Sequence, residues 1–292
     1  LIAGIYQQEE LAIDLRQLCD RAGVAFVETE ITGLDIEKSC LHLRDRPALH
    51  FNWLSLDVGA VSRPSAAGVP IKPLEASLSF LESEDPSDPN PLRVIGAGAA
   101  GLEVVLALRR RWPQRELQLQ QRRGQLDPAV QHVLRKANIA VTDDDSHHNG
   151  PSLLCTGSQG PAWLATTGLP LTSDGRVRTD RYLRVEGHPC LFASGDCAVI
   201  SASPRPASGV WAVRAGRPLA INLEAACKGH PLRPWHPQRK ALQLIGSHQD
   251  AAWARWGDWR LGPRTTSMPG RPVSGIWLWH IYCTIYTRHW VW

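Results

Sequence analysis

The apolar run Leu92-Arg93-Val94-Ile95 breaks into Gly96-Ala97-Gly98-Ala99-Ala100-Gly101, and these three glycines at G-x-G-x-x-G spacing constrain the fold more than any other feature. Gly96 allows a tight turn out of a strand, Gly98 has no side chain to block a pyrophosphate, and Gly101 lets the following helix lie close to the sheet. A helix N-terminus then offers free N–H groups and a positive dipole end to phosphate. The context agrees on both sides. The run before the glycines is strand-like. Residues 102–111 carry apolar side chains at helical spacing until Trp112-Pro113 stops them, with Glu103 just inside the helix. The alternative is a glycine-rich structural turn with no ligand.

With 292 residues the chain can bury a sizeable core, and its length suits about two domains. Net charge is +4, yet basic and acidic residues are interspersed except at 109–111 and 122–123, so a nucleic-acid surface is not favoured. Those basic runs are expected to cap a helix and sit in solvent. Seven cysteines lie scattered without C-x-x-C or any metal-ligand spacing, which implies a reducing compartment, mostly buried thiols and no metal. No signal peptide is evident, nor an apolar stretch near the roughly 18 residues a spanning helix needs. A chain that opens on Leu1 and has its one Met elsewhere reads as a fragment.

Before the glycines, residues 9–19 suggest a helix and Val24-Ala25-Phe26-Val27 a buried strand. Thr32-Gly33-Leu34-Asp35 and Leu41-His42-Leu43 suggest a hairpin with one polar face, and residues 51–59 a strand closing on Gly59. Residues 82–91, with three prolines and four acids, read as a surface loop or linker. After the cradle come a strand at 116–121, a helix at 128–138, and a strand at 139–141. Asp143-Asp144-Asp145 reads as a solvated acidic turn, His147-His148 as solvent-exposed, and residues 153–157 as a strand closing on Gly157. The run Cys190-Leu191-Phe192-Ala193-Ser194-Gly195-Asp196 delivers a carboxylate right after a glycine, where backbone can approach a ligand and the Asp can accept hydrogen bonds from hydroxyls. Asp196 could equally cap that region. Residues 207–225 read as a helix.

Together these stretches resemble the two-dinucleotide-binding-domain flavoproteins of the pyridine nucleotide-disulfide oxidoreductase superfamily. The similarity is greatest to the type II NADH dehydrogenase-like group, and within it to the flavoprotein part of proteins fused to selenide, water dikinase. Leu54-Ser55-Leu56-Asp57-Val58-Gly59 is similar to the strand closing on FAD, and Val69-Pro70-Ile71-Lys72-Pro73 to the crossover into the NAD domain. Ala193-Ser194-Gly195-Asp196-Cys197-Ala198 is similar to the motif whose Asp contacts the ribityl chain. Gly209-Val210-Trp211-Ala212-Val213-Arg214 resembles the helix whose N-terminus faces the flavin.

The resemblance implies an α/β fold of two Rossmann-like domains. An incomplete FAD domain would comprise 1–75 and 175–232, with an inserted NAD(P)H domain at 76–174 and an atypical, Trp-rich extension at 233–292. Expected cofactor contacts are Gly96, Gly98, Gly101, Glu103 and Gly157 for NAD(P)H, and Gly59, Gly195, Asp196, Val210 and Val213 for FAD. The family's first G-x-G-x-x-G would lie upstream of Leu1, which implies weak flavin affinity for this chain, and the kinase domain is not in it. The expected activity is hydride transfer from NAD(P)H to FAD, with electrons passed to a small-molecule acceptor. A degenerate nucleotide-binding module without turnover and a disulfide reductase are the alternatives. Where an NAD site usually has an acid, about 20 residues past the glycines, this chain has Gln120-Gln121-Arg122-Arg123, which leans toward a 2′-phosphate. The expected location is cytoplasmic, with peripheral membrane contact through the Trp-rich tail as the variant.

Overall fold

The computed structural model describes residues 1–63, 65–121, 126–143, 150–246, 251–256 and 259–265. They divide into two units, one of Leu1–Glu10, Pro64–Gly157 and Lys240–Trp292, the other of Leu11–Arg63 and Ser158–Arg239.

The first unit is built on a five-stranded parallel sheet in the order Val69–Pro70, Ser152–Leu154, Leu92–Ile95, Leu117–Gln120, Ile139–Thr142. The glycine-bearing strand Leu92–Ile95 is buried along its whole length, as a parallel strand covered on both faces must be. From it the chain steps outward through Leu117–Gln120 and Ile139–Thr142, then returns to the other flank at Ser152–Leu154. The strand order therefore reverses between Leu92–Ile95 and Ser152–Leu154, and in open α/β sheets the crevice at such a reversal is where ligands bind. The helix Ala99–Arg111 lays Leu102, Val105 and Leu108 into a core with Val94, Leu117 and Leu119. The helix Pro128–Lys136, capped by Asp127, adds Leu134. Leu242–Gly246, Ala251–Trp256 and Trp259–Thr265 form a three-stranded antiparallel sheet.

The second unit pairs Leu54–Leu56 with Leu191–Ala193 and Val177–Thr179 with Ala198–Ile200, both in parallel. An antiparallel meander of Ile31–Asp35, Cys40–Leu43 and Arg46–His50 supplies Leu34 and Leu41 to the core around Leu56, Leu164 and Leu191. Residues 158–174, expected in the insert, pack here: Ser158–Gln159 pairs with Val61–Ser62, and Leu164 and Leu169 lie in this core. Residues 231–235 also belong here, because Asn222 on the helix Gly209–Cys227 donates to the Tyr182 and Arg233 carbonyls and accepts from the Arg233 N–H.

Three expectations need correction. Val24-Ala25-Phe26-Val27 is neither strand nor buried, with Val24 and Val27 about half exposed, since no described strand lies alongside to take up its backbone groups. The helix expected at 9–19 is two, Gln8–Leu11 and Leu15–Ala22, because Asp14 turns out of the helix and accepts a hydrogen bond from the Gln17 N–H as an N-cap. The basic run at 109–111 is not all in solvent. Arg109 is buried, and its guanidinium donates to the carbonyls of Ala137 (2.7 Å), Asn138 (2.7 Å), Pro113 (2.9 Å), Arg115 (2.8 Å) and Trp112 (3.3 Å). One side chain thus satisfies five loop carbonyls past the ends of two helices. Arg115, also buried, ties residues 82–91 to this unit through Glu84 at 3.4 Å and Asp88 at 3.3 Å.

Removing Arg109 strands several buried acceptors, each at a cost of about 1–3 kcal/mol. Arg109→Ala should destabilise the chain by roughly 3 kcal/mol or more in urea unfolding, with Arg109→Lys recovering little because one ammonium cannot span the five carbonyls. A loss below about 1 kcal/mol would show that water replaces the guanidinium.

Candidate functional site

At the reversal point of the first sheet the three glycines are not equivalent. Gly96 has φ +112°, and a Cβ there would sit 2.6 Å from the Cys155 carbonyl oxygen of the neighbouring strand end. A Cβ on Gly101 would collide with the Gly96 carbonyl. These two positions are forced by packing. Gly98 differs: among the described residues nothing lies within 4 Å of where its Cβ would be, and its φ of −74° suits any residue. Gly98 is also the N-cap of Ala99–Arg111 and supplies no side-chain cap, so the first-turn N–H groups, which have no acceptor within the helix, border an open space. A helix N-terminus so placed leaves room for an anion, the group that the glycine spacing leads one to expect there.

Along the carboxyl edge of the same sheet, Gln121 and Thr142 follow and close their strands. Gln121 donates from Nε2 to Asp143 at 3.0 Å. Gln121 Oε1 and Thr142 Oγ1 are buried and, among the described residues, have no hydrogen-bond partner. Gln121 stands where a nucleotide-binding acid usually meets the ribose, about 20 residues past the glycines. Glu103 is exposed on the cradle helix, and Gly157 is exposed with φ +97° just past the strand Ser152–Leu154. Arg122, Arg123, His147 and His148 lie outside the described residues.

In the second unit the parallel pair Leu54–Leu56 and Leu191–Ala193 ends in two acids. Gly195 has φ +69°, and a Cβ there would run into the Asp57 carboxylate, so Asp57 rests against the Gly195 backbone. The sequence reading missed Asp57, although an acid at the end of a strand was visible in Leu56-Asp57-Val58-Gly59. Removal from water, and then the charge of Asp196, push the Asp57 carboxyl above its ordinary range. Asp196 is half-buried with its Oδ1 buried, and Gly59 has φ +66° with open space around it. The helix Gly209–Cys227 begins after Ser208, with Val210 buried and Val213 57% exposed. A cavity of about 50 Å³ lies between Ser194, Asp196, Ser208, Trp211 and Trp235.

Cysteines beside the two sites are inert. Burial pushes Cys155 up to about 12, and burial foremost pushes Cys197 up to about 11, so both are thiols at neutral pH. The expectation of mostly buried thiols holds in part: Cys40 and Cys197 are buried, Cys19 and Cys155 are intermediate, and Cys190 and Cys227 are exposed. Among the described residues no helix is long and apolar enough to cross a membrane.

No family model matches the chain. It is 22% identical over 266 residues to ferroptosis suppressor protein 1 of Taeniopygia guttata, covering 78% of this chain and 70% of that protein. It is 25% identical over 295 residues to the alternative NAD(P)H-ubiquinone oxidoreductase C1, chloroplastic/mitochondrial, of Arabidopsis thaliana, covering 80% of this chain and 56% of that one. Among solved structures it is similar to an FAD-dependent pyridine nucleotide-disulphide oxidoreductase from Desulfovibrio vulgaris, with a TM-score of 0.62 and 20% identity, over 82% of this chain and 70% of that one. The fold is a mixed α/β arrangement with parallel sheets, shared with that solved structure.

The glycine geometry separates packing from binding. Gly98→Val should weaken NAD(P)H binding at least tenfold, or about 1.4 kcal/mol, while leaving the thermal midpoint nearly unchanged. Gly101→Ala should lower the midpoint by several degrees, because its Cβ meets a backbone carbonyl. Fluorescence titration and thermal unfolding of both variants check this. Unchanged nucleotide binding in Gly98→Val would remove the site.

Proposed function

We propose that the chain is a flavin-dependent oxidoreductase that takes a hydride from NAD(P)H bound in the first unit onto FAD bound in the second, with electrons passed on to a small-molecule acceptor. The observation that carries this reading is the open face of Gly98, at an uncapped helix N-terminus and a reversal of strand order, between two glycines that packing alone demands. The names of the relatives and structural neighbours support it: an NAD(P)H-ubiquinone oxidoreductase and an FAD-dependent oxidoreductase among them. The finer resemblance, to flavoproteins fused to selenide, water dikinase, rests on 231–239 and 242–256 and points to no particular acceptor.

When bound, FAD supplies a ring that accepts two electrons and releases them. The chain would supply binding and orientation. First-turn N–H groups at Gly98 would hold a pyrophosphate, and Gln121 Oε1 and Thr142 Oγ1, buried and without a hydrogen-bond partner among the described residues, would accept from ribose hydroxyls. Asp196, following Gly195, would fit a hydroxyl-bearing ribityl chain, with the Asp57 carboxylate lying against the Gly195 backbone beside it. No side chain of the hydrolase type is required. The inert thiols of Cys155 and Cys197 argue against a disulfide reductase that uses either. A second reading, nucleotide binding without turnover, is favoured by the open helix N-terminus at Gly98, which the first unit provides by itself.

Titration of the full chain with FAD and NADH tests both. The expected result is weak, saturable binding of added FAD, with the bound flavin bleached on addition of NADH under anaerobic conditions. Asp196→Ala should lose flavin binding and keep NAD(P)H binding. A chain that binds NADH and yet leaves bound flavin oxidised would support the second reading, and loss of both ligands together in Asp196→Ala would show that the two sites are not separate.

A further inference from the structure

The antiparallel meander of the second unit carries chemistry that the proposed oxidoreductase does not use. Asp35 ends its first strand and is the register partner of Cys40, which opens the second; His42 lies two residues further along, on the same side of that strand as Cys40. Leu34 and Leu41, alternating with them, point the other way into the core. A carboxylate, a thiol and an imidazole are thereby gathered on one face, with their ligand atoms all within 4.8 Å of one another. No C-x-x-C spacing announces this, because the pairing across the turn creates the cluster.

We propose that Asp35, Cys40 and His42 form a site for a divalent ion of zinc's type. Mixed sulfur, nitrogen and oxygen donors suit Zn²⁺, and a thiolate excludes Mg²⁺ and Ca²⁺. In a tetrahedral zinc site, metal–ligand distances of about 2.0–2.3 Å place ligand atoms roughly 3.3–3.8 Å apart. The cluster needs to close by only about an ångström, and His42 is exposed. Three protein ligands leave one position for water. The Asp35 carboxylate is held ready: its Oδ1 accepts the Lys38 N–H at 2.9 Å, an orienting hydrogen bond of the sort that metal-bound carboxylates keep. A cation already sits there, since Lys38 Nζ lies 3.0 Å from Asp35 Oδ2, and the Lys38 side chain is 77% exposed, so a metal can displace it. On binding, the Cys40 S–H bond breaks, its proton passes to solvent and the sulfur's electron pair forms the bond to the metal; no electron is exchanged.

Cobalt(II) added to the full chain reads thiolate ligation through a sulfur-to-metal charge-transfer band, with zinc competing for the same site. The expected result is one such ion per chain displaced by one equivalent of Zn²⁺ and not by excess Mg²⁺. Cys40→Ser should abolish the band. His42→Ala, at an exposed position, should weaken binding at least tenfold with circular dichroism unchanged, and Lys38→Ala should tighten it. Absence of the band in the folded wild type, or a band undiminished in Cys40→Ser, would overturn the site.

Discussion

The first unit depends on how near the cradle helix comes to the strand that feeds it. At Gly101 the helix backbone lies so close to the Gly96 carbonyl that no Cβ fits, and at Gly96 the turn lies against the Cys155 carbonyl in the same way. These two approaches bring the start of Ala99–Arg111 directly above the point where the strand order reverses. The close packing leaves Gly98 at the mouth of the crevice, beside N–H groups that need an acceptor. An anion-binding position is therefore a by-product of close helix-to-sheet packing.

The second unit places charge differently. Here the glycine at the strand end, Gly195, is required by a side chain, because Asp57 occupies the space a Cβ would take. Two acids meet there, and removal from water, then the charge of Asp196, raise the Asp57 carboxyl above its ordinary range. Such a pair suits a neutral, hydroxyl-rich ligand segment, which can donate to a carboxylate. It suits a phosphate poorly. On the proposed reading the two units would hold different parts of their dinucleotides.

How much of this was legible in the sequence varies with the range of the interactions involved. The strand, turn and helix of 92–111 could be read because apolar spacing and glycine spacing are local signals. The hairpin at 31–43 could be read from alternation, but the Asp35, Cys40 and His42 cluster could not, since it depends on which residue faces which across the turn. Arg109 looked like a solvated charge because its five carbonyl partners belong to breaks at 112–115 and 137–138, which no helical periodicity connects to it. Val24-Ala25-Phe26-Val27 shows the opposite failure: composition suggested burial, yet an apolar run is buried only if another element covers it. Asp14 was readable in principle, as an acid placed before an apolar run is an N-cap signal.

The central claim is that a hydride leaves the nicotinamide for a flavin on this chain. It is tested most directly by following flavin bleaching in a single anaerobic turnover with NADH deuterated at one or the other face of nicotinamide C4. The account predicts that one of the two labelled nucleotides bleaches the flavin several-fold more slowly than unlabelled NADH, and that the other matches it. Equal rates with all three, or no bleaching by saturating nucleotide, would contradict it.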